Sequence, residues 1–134
     1  METGQVRLLE IVCADDVGKA INPQQVIGQM EGCLVQAAGY ALLENFIMKD
    51  GRVLTQYFSN YLIPTVLDVP LRIKPVLLEN ADLIGPWGAR GMSEMPYSPL
   101  APAIAAAIHD ATGVWIDRFP FTPDRVLNAI NHVR

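Results

Sequence analysis

Gly85-Pro86-Trp87-Gly88-Ala89-Arg90-Gly91-Met92-Ser93-Glu94-Met95-Pro96 runs almost directly into the alanine-rich stretch from Pro99 to Ala111. Closely spaced glycines, one acid and a closing proline predict a tight loop that holds up a single carboxylate where it meets a helix. A glycine-rich backbone can approach a bulky ligand closely and aim its N–H groups at it. Glu94 is therefore a candidate general base. The same residues also fit a surface turn before an acidic first helical turn, because helix N-termini attract acids.

Upstream of this loop, Leu71 to Glu79 reads as a strand, with Pro75 marking an edge or a bulge. Before it, Asn60 to Thr65 and Asp68 to Pro70 read as a turn-rich crossing segment. Asp50-Gly51 predicts a hairpin between Glu44–Lys49 and Arg52–Gln56. Asn22 and Pro23 suit the N-cap and first position of a helix running to about Leu43. Ile27, Met30, Leu34, Ala37 or Ala38, and Ala41 form its apolar stripe. A different face carries Gln25, Gln29, Gly32, Gln36 and Gly39. Glycine costs about 1 kcal/mol inside a helix, so this face predicts close approach of another backbone or of a ligand, with amides to bind it. Plain helix packing is the other reading.

Val6 to Val12 reads as the first strand, after a turn at Glu2-Thr3-Gly4 that places its expected partner upstream of Met1. Downstream of the loop, Gly113 suits a helix C′ position and Val114 to Ile116 a short strand. Thr122-Pro123-Asp124 opens a last helix ending near Ile130. The fold class expected is α+β: hairpins and a mixed sheet packed with two to three helices.

The chain has 134 residues, 51% of them hydrophobic, which suffices for the core of one modest domain. A formal charge of −4 with scattered Lys and Arg argues against nucleic-acid binding, which needs a basic face. No apolar run approaches the roughly 20 residues that span a bilayer, and the N-terminus lacks a signal peptide's apolar stretch, so a cytoplasmic location is expected. Cys13 and Cys33 are far from His109 and His132, which does not match zinc spacing; small buried thiols are expected. Gly85, Gly88 and Gly91 are spaced wrongly for a dinucleotide fingerprint. The Gly91–Met95 stretch lacks the second glycine of a nucleophile elbow.

What remains follows a known order of motifs. Gly18-Lys19-Ala20-Ile21-Asn22-Pro23 comes first, then Gly28-Gln29-x-Glu31-Gly32 with Gln36 and Gly39. Tyr61-x-Ile63-Pro64-Thr65-x-x-Asp68-x-Pro70 follows, then Gly85-Pro86-x-Gly88-Ala89-Arg90-Gly91-Met92-Ser93-Glu94 and a closing Thr122-Pro123. Over nearly its whole length the chain resembles the C-terminal part of the molybdenum-binding subunit of the xanthine dehydrogenase and aldehyde oxidase family.

The resemblance implies a molybdopterin-dependent hydroxylase that oxidises an aldehyde or N-heteroaromatic carbon with water. Glu94 matches the family's glutamate base, and Gln29 the glutamine that hydrogen-bonds the pterin. Gly32 and Gln36 would line the same side, and Gly91, Met92 and Ser93 would pass near the molybdenum without ligating it. Ser93 stands where the family usually has a second glycine, which changes the loop's conformational freedom. Arg90 matches a position that is often basic, as a phosphate contact or a surface charge. The resemblance further implies that residues 1–134 form a single partial domain of a larger subunit, inactive by itself. The rest of that subunit, iron–sulfur clusters and FAD would lie on other domains or subunits. A non-catalytic truncated module serving assembly or interaction, and a fragment of a carbon monoxide dehydrogenase-like large subunit, are the alternative readings.

Overall fold

β1 spans Glu10–Asp16 and alternates outward and inward residues, with Ile11, Cys13 and Asp15 buried. The computed structural model describes residues 2–133, and within them β1 pairs in parallel with β4, Arg72–Leu78. The register runs from Glu10↔Arg72 to Asp16↔Leu78. Two expectations change here. The strand begins at Glu10 rather than Val6, because the ladder starts only where β4 does; Val6 and Leu8 pack half-buried against the core. Its partner within the chain is β4, a parallel neighbour reached by a long crossover. Pro75, opposite Cys13, is tolerated because β4 has its partner on one edge and the missing N–H can face the other.

The crossover begins with α1, Pro23–Leu42. The Asn22 side chain accepts from the Gln25 amide at 3.2 Å, and Pro23 occupies the first turn, where a missing N–H costs no helical bond. Met30, Leu34, Ala37 and Ala41 are almost wholly buried. They meet Leu100, Ala101, Ile104 and Ile108 of α2, which spans Tyr97–Thr112. Phe121, with Val126 and Ile130 of α3 (Pro123–Val133), closes the core. α2 starts two residues before Pro99, whose position in the first turn again costs no bond. Gly113 ends α2 in the left-handed region, φ 77°.

After α1 a small hairpin joins β2, Met48–Lys49, to β3, Arg52–Val53. Asp50 and Gly51 both take positive φ, 49° and 74°, as a two-residue turn of this hand requires. The strands are much shorter than the sequence suggests, since these residues lie largely on the surface with nothing to bury an alternating face against. Among the described residues the hairpin and the parallel pair are separate sheets rather than one mixed sheet. Val114 to Ile116 is not a strand either. Val114 is buried in a loop, and Trp115 stacks on His109 with centroids 4.1 Å apart. The architecture is α+β, with three α-helices around one core and the β1–β4 pair along its side.

Candidate functional site

The glycine loop leaves β4, makes a 3₁₀ turn at Pro86–Gly88 and returns beside the carboxyl ends of the two parallel strands. Here the chain's backbones touch. Gly18 and Ala89 form a bridge, the Lys19 amide donates to the Gly88 carbonyl at 2.7 Å, and the Arg90 amide donates to Val17 at 2.9 Å. A side chain on Gly18 would put its Cβ 2.4 Å from the Gly88 oxygen, so only glycine permits this approach. Asp82 holds the loop's entry by accepting from the Ile84 and Gly85 amides at 2.8 and 2.9 Å. These backbone bonds keep its carboxyl below the ordinary aspartate value, with the Arg90 charge adding a smaller push in the same direction.

Between this loop, the turn after β1 and the start of α1 lies a cleft of about 290 Å³. Lys19, Asn22, Gln25, Gln29, Arg90 and Met92 line it. Of the residues singled out in the sequence, Gln29 and Met92 are thus brought together. Gly32 and Gln36 are exposed further along α1, and Gly91, Ser93 and Glu94 are exposed on the loop, all outside the lining of this cleft. Ser93 nevertheless reaches α1: its carbonyl accepts from the Cys33 thiol at 3.0 Å. The next carbonyl, of Glu94, accepts from the Tyr97 amide at 3.0 Å. The peptide that carries the candidate base is therefore held from the α1 side and from the start of α2.

The glycines of the helix face divide into two kinds. A Cβ on Gly39 would lie 2.4 Å from the Pro64 ring and 2.6 Å from a Glu44 oxygen, so tight packing accounts for it. A Cβ on Gly28 or Gly32 would meet nothing within 4 Å. No other part of the described chain accounts for these two glycines, which leave an open strip along α1 between Gln25, Gln29 and Gln36.

Several neighbours of the site were not legible as such. Cys33 reads in sequence only as a small buried thiol. Burial first, then the Glu94 and Asp15 carboxylates, push its pKa up, so it keeps the proton it donates. Tyr97 packs 5.9 Å from Tyr40, and burial, the Glu44 carboxylate, Tyr40 and Glu94 raise its phenol. Asp16 and Asp82 both ion-pair with Arg90. Asp16-x-Gly18 and Asp82-x-Ile84 carry the signature of aspartates that bond the backbone two residues on, but nothing local pairs either with Arg90. Among the described residues there is no group of three or more His, Cys, Asp or Glu side chains suited to a metal ion, and no helix long and apolar enough to cross a membrane.

Residues 1–70 match the profile of a family described as "Molybdopterin cofactor-binding domain". The chain belongs to this family. Likeness to known proteins extends past the matched half. Quinoline 2-oxidoreductase from Pseudomonas putida 86 superposes on 97% of the chain with a TM-score of 0.90 and 36% identity, over 17% of that protein. A probable hypoxanthine oxidase of Escherichia coli K12 is 36% identical over 132 residues, covering 98% of this chain and 14% of the relative. A probable xanthine dehydrogenase subunit of Bacillus subtilis 168 is 37% identical over 129 residues, covering 96% and 17% respectively. This member of the family thus spans less than a fifth of the length of the relatives it matches.

Proposed function

We propose that the chain is one part of a molybdenum hydroxylase, supplying the catalytic base and one wall of the pterin site. The observation that carries the proposal is the open strip on α1 at Gly28 and Gly32, flanked by glutamine amides, beside a loop whose Ser93 carbonyl is tied to that helix. The fit to a pterin is chemical as well as spatial. A primary amide offers both donors and an acceptor to a heterocycle with the complementary edge, and a strip without side chains lets a flat ring lie against the helix.

When bound, the molybdenum cofactor supplies the two-electron oxidation of the substrate carbon, with oxygen drawn from water. The chain's residues do the rest of what is assigned to it. Glu94 accepts a proton during substrate attack, as a carboxylate with its backbone held on both sides is suited to do. Gln29 hydrogen-bonds the pterin, Gln36 and Gly32 continue the same wall, and Gly91, Met92 and Ser93 form the loop that faces the reacting centre. Ser93 bears a Cβ where glycine would leave space, which narrows approach from that side.

Hypoxanthine, xanthine and quinoline in the relatives' names are N-heteroaromatic, and other similar proteins are named aldehyde oxidoreductases, so the substrate proposed is an N-heteroaromatic or an aldehyde. The remaining length of those relatives supports a larger subunit around residues 1–134, with iron–sulfur and flavin groups carried elsewhere. Two free buried thiols, Cys13 and Cys33, suit a reducing, cytoplasmic setting. The test is Glu94→Gln in the assembled enzyme. Turnover is expected to vanish while molybdenum content stays near wild type; substantial remaining turnover would remove Glu94 from the mechanism.

A further inference from the structure

The Arg90 guanidinium lies between two carboxylates, one ending β1 and one in the loop after β4. Nη1 is 3.1 Å from Asp16 Oδ2, at the end of β1, and Nε is 3.3 Å from Asp82 Oδ2, just beyond β4. Asp16 is itself spanned by further donors: Oδ1 accepts from the Gly18 and Asn80 amides at 3.0 and 3.1 Å, and Oδ2 from the Asn80 side chain at 3.1 Å. Arg90 therefore closes a ring of polar contacts joining the ends of both parallel strands to the glycine loop. It stands four residues before Glu94 and lines the same cleft as Gln29 and Met92. We infer that Arg90 is a positioning residue that sets the loop against α1 through Asp16 and Asp82, rather than a free cation awaiting an anionic ligand.

Three features favour this over a phosphate contact. Two carboxylates already face the one guanidinium, so the local charge offered to an anion is not positive. Both aspartates are held below their ordinary values chiefly by hydrogen bonds within the chain, with Arg90 contributing, so both are ionised at neutral pH. The Arg90 amide is also committed, to the Val17 carbonyl. A planar guanidinium can bridge two carboxylates through different nitrogens, and an ammonium cannot reproduce that fork.

The consequence for turnover rests on the reading of Glu94 above; the pin itself does not. Its test is residue-resolved hydrogen exchange on the full chain in Arg90→Met, Asp16→Asn, the double variant and Arg90→Lys. Three amides report the loop: Lys19, which donates to Gly88; residue 90, which donates to Val17; and Tyr97, which donates to Glu94. Asp16→Asn is expected to speed their exchange roughly threefold, the size of one partly exposed ion pair, and Arg90→Met at least as much, since it also removes the Asp82 pair. The double variant is expected to go no further than Arg90→Met, because the contact that Asp16→Asn removes is already gone in it. Arg90→Lys recovers part of the protection, and keeps the test available should Arg90→Met fold poorly. The Asp68 and Gly113 amides, bonded in distant turns, control for general destabilisation and are expected to be unchanged. Wild-type exchange at the three reporters in Arg90→Met would overturn the inference. So would effects that add in the double variant, the result expected of a guanidinium serving an anion independently of Asp16. If Glu94→Gln left turnover intact while exchange behaved as expected, Glu94 would lose its role and the pin would stand.

Discussion

The Cys33 thiol donates to the Ser93 carbonyl at 3.0 Å, joining residues sixty positions apart. This single contact puts the residue before Glu94 on the helix that carries Gln29. It also sets up a charge relationship, because the Glu94 carboxylate is among the groups that raise the Cys33 pKa.

Removing that carboxylate should therefore release the thiol. Burial remains and the Asp15 charge remains, but Glu94→Gln deletes one negative charge that disfavours thiolate. The pH midpoint for Cys33 alkylation, followed by peptide mass spectrometry to separate it from Cys13, is expected to fall in this variant. Cys13, raised to about 12 by burial and by Asp15, is expected to stay put. An unmoved Cys33 midpoint would mean that Glu94 does not sit beside α1.

The helix glycines make opposed predictions. Gly32→Ala enters open space on an exposed helix face and is expected to stabilise the chain by about 1 kcal/mol, read as a higher Tm. Gly39→Ala drives a methyl into Pro64 and Glu44 and is expected to destabilise by about 1–3 kcal/mol. If the pterin lies on the open strip, Gly32→Leu in the assembled enzyme lowers molybdenum content without lowering the chain's own Tm. Normal molybdenum content in that variant would move the cofactor off this face.

Acid should loosen the loop through Asp16. Its carboxyl titrates below the ordinary 3.8 in the folded chain, held there first by the Asn80 side chain and the Gly18 amide, with Arg90 adding to them. The stability it contributes is thus present in full above that ordinary value and is lost as pH falls through the lower folded one. Other carboxylates titrate in the same window, so the measure is a difference. The Tm gap between wild type and Asp16→Asn is expected to be constant near neutrality and to close between about pH 5 and pH 2. A gap that persists at the acid end would mean that Asp16 stabilises by packing alone.

Much of this fold can be read locally because its signals are local. Asn22 caps α1 from three residues away, Asp50-Gly51 turns a hairpin by taking positive φ twice, and Gly113 stops α2 in the left-handed region. The stripe from Met30 to Ala41 follows from helical spacing. Two extended stretches depart from their expected form because a strand exists only with a partner. Val114 to Ile116 has none among the described residues, and Val6 to Leu8 precede the point where β4 begins.

Residue order alone thus specifies the helices, the turns, the glycine loop and, through the succession of its motifs, the resemblance to molybdenum hydroxylases. Which charges meet is settled only in three dimensions. Asp16 and Asp82 stand 66 positions apart and converge on Arg90 only because β1 and β4 lie side by side in parallel. Folding likewise makes Gly39 a packed position while Gly28 and Gly32 stand open, since all three look alike along the chain. The reason is physical: caps and turns are satisfied within a few residues, whereas ion pairs and close backbone approaches depend on distances that chain folding alone sets.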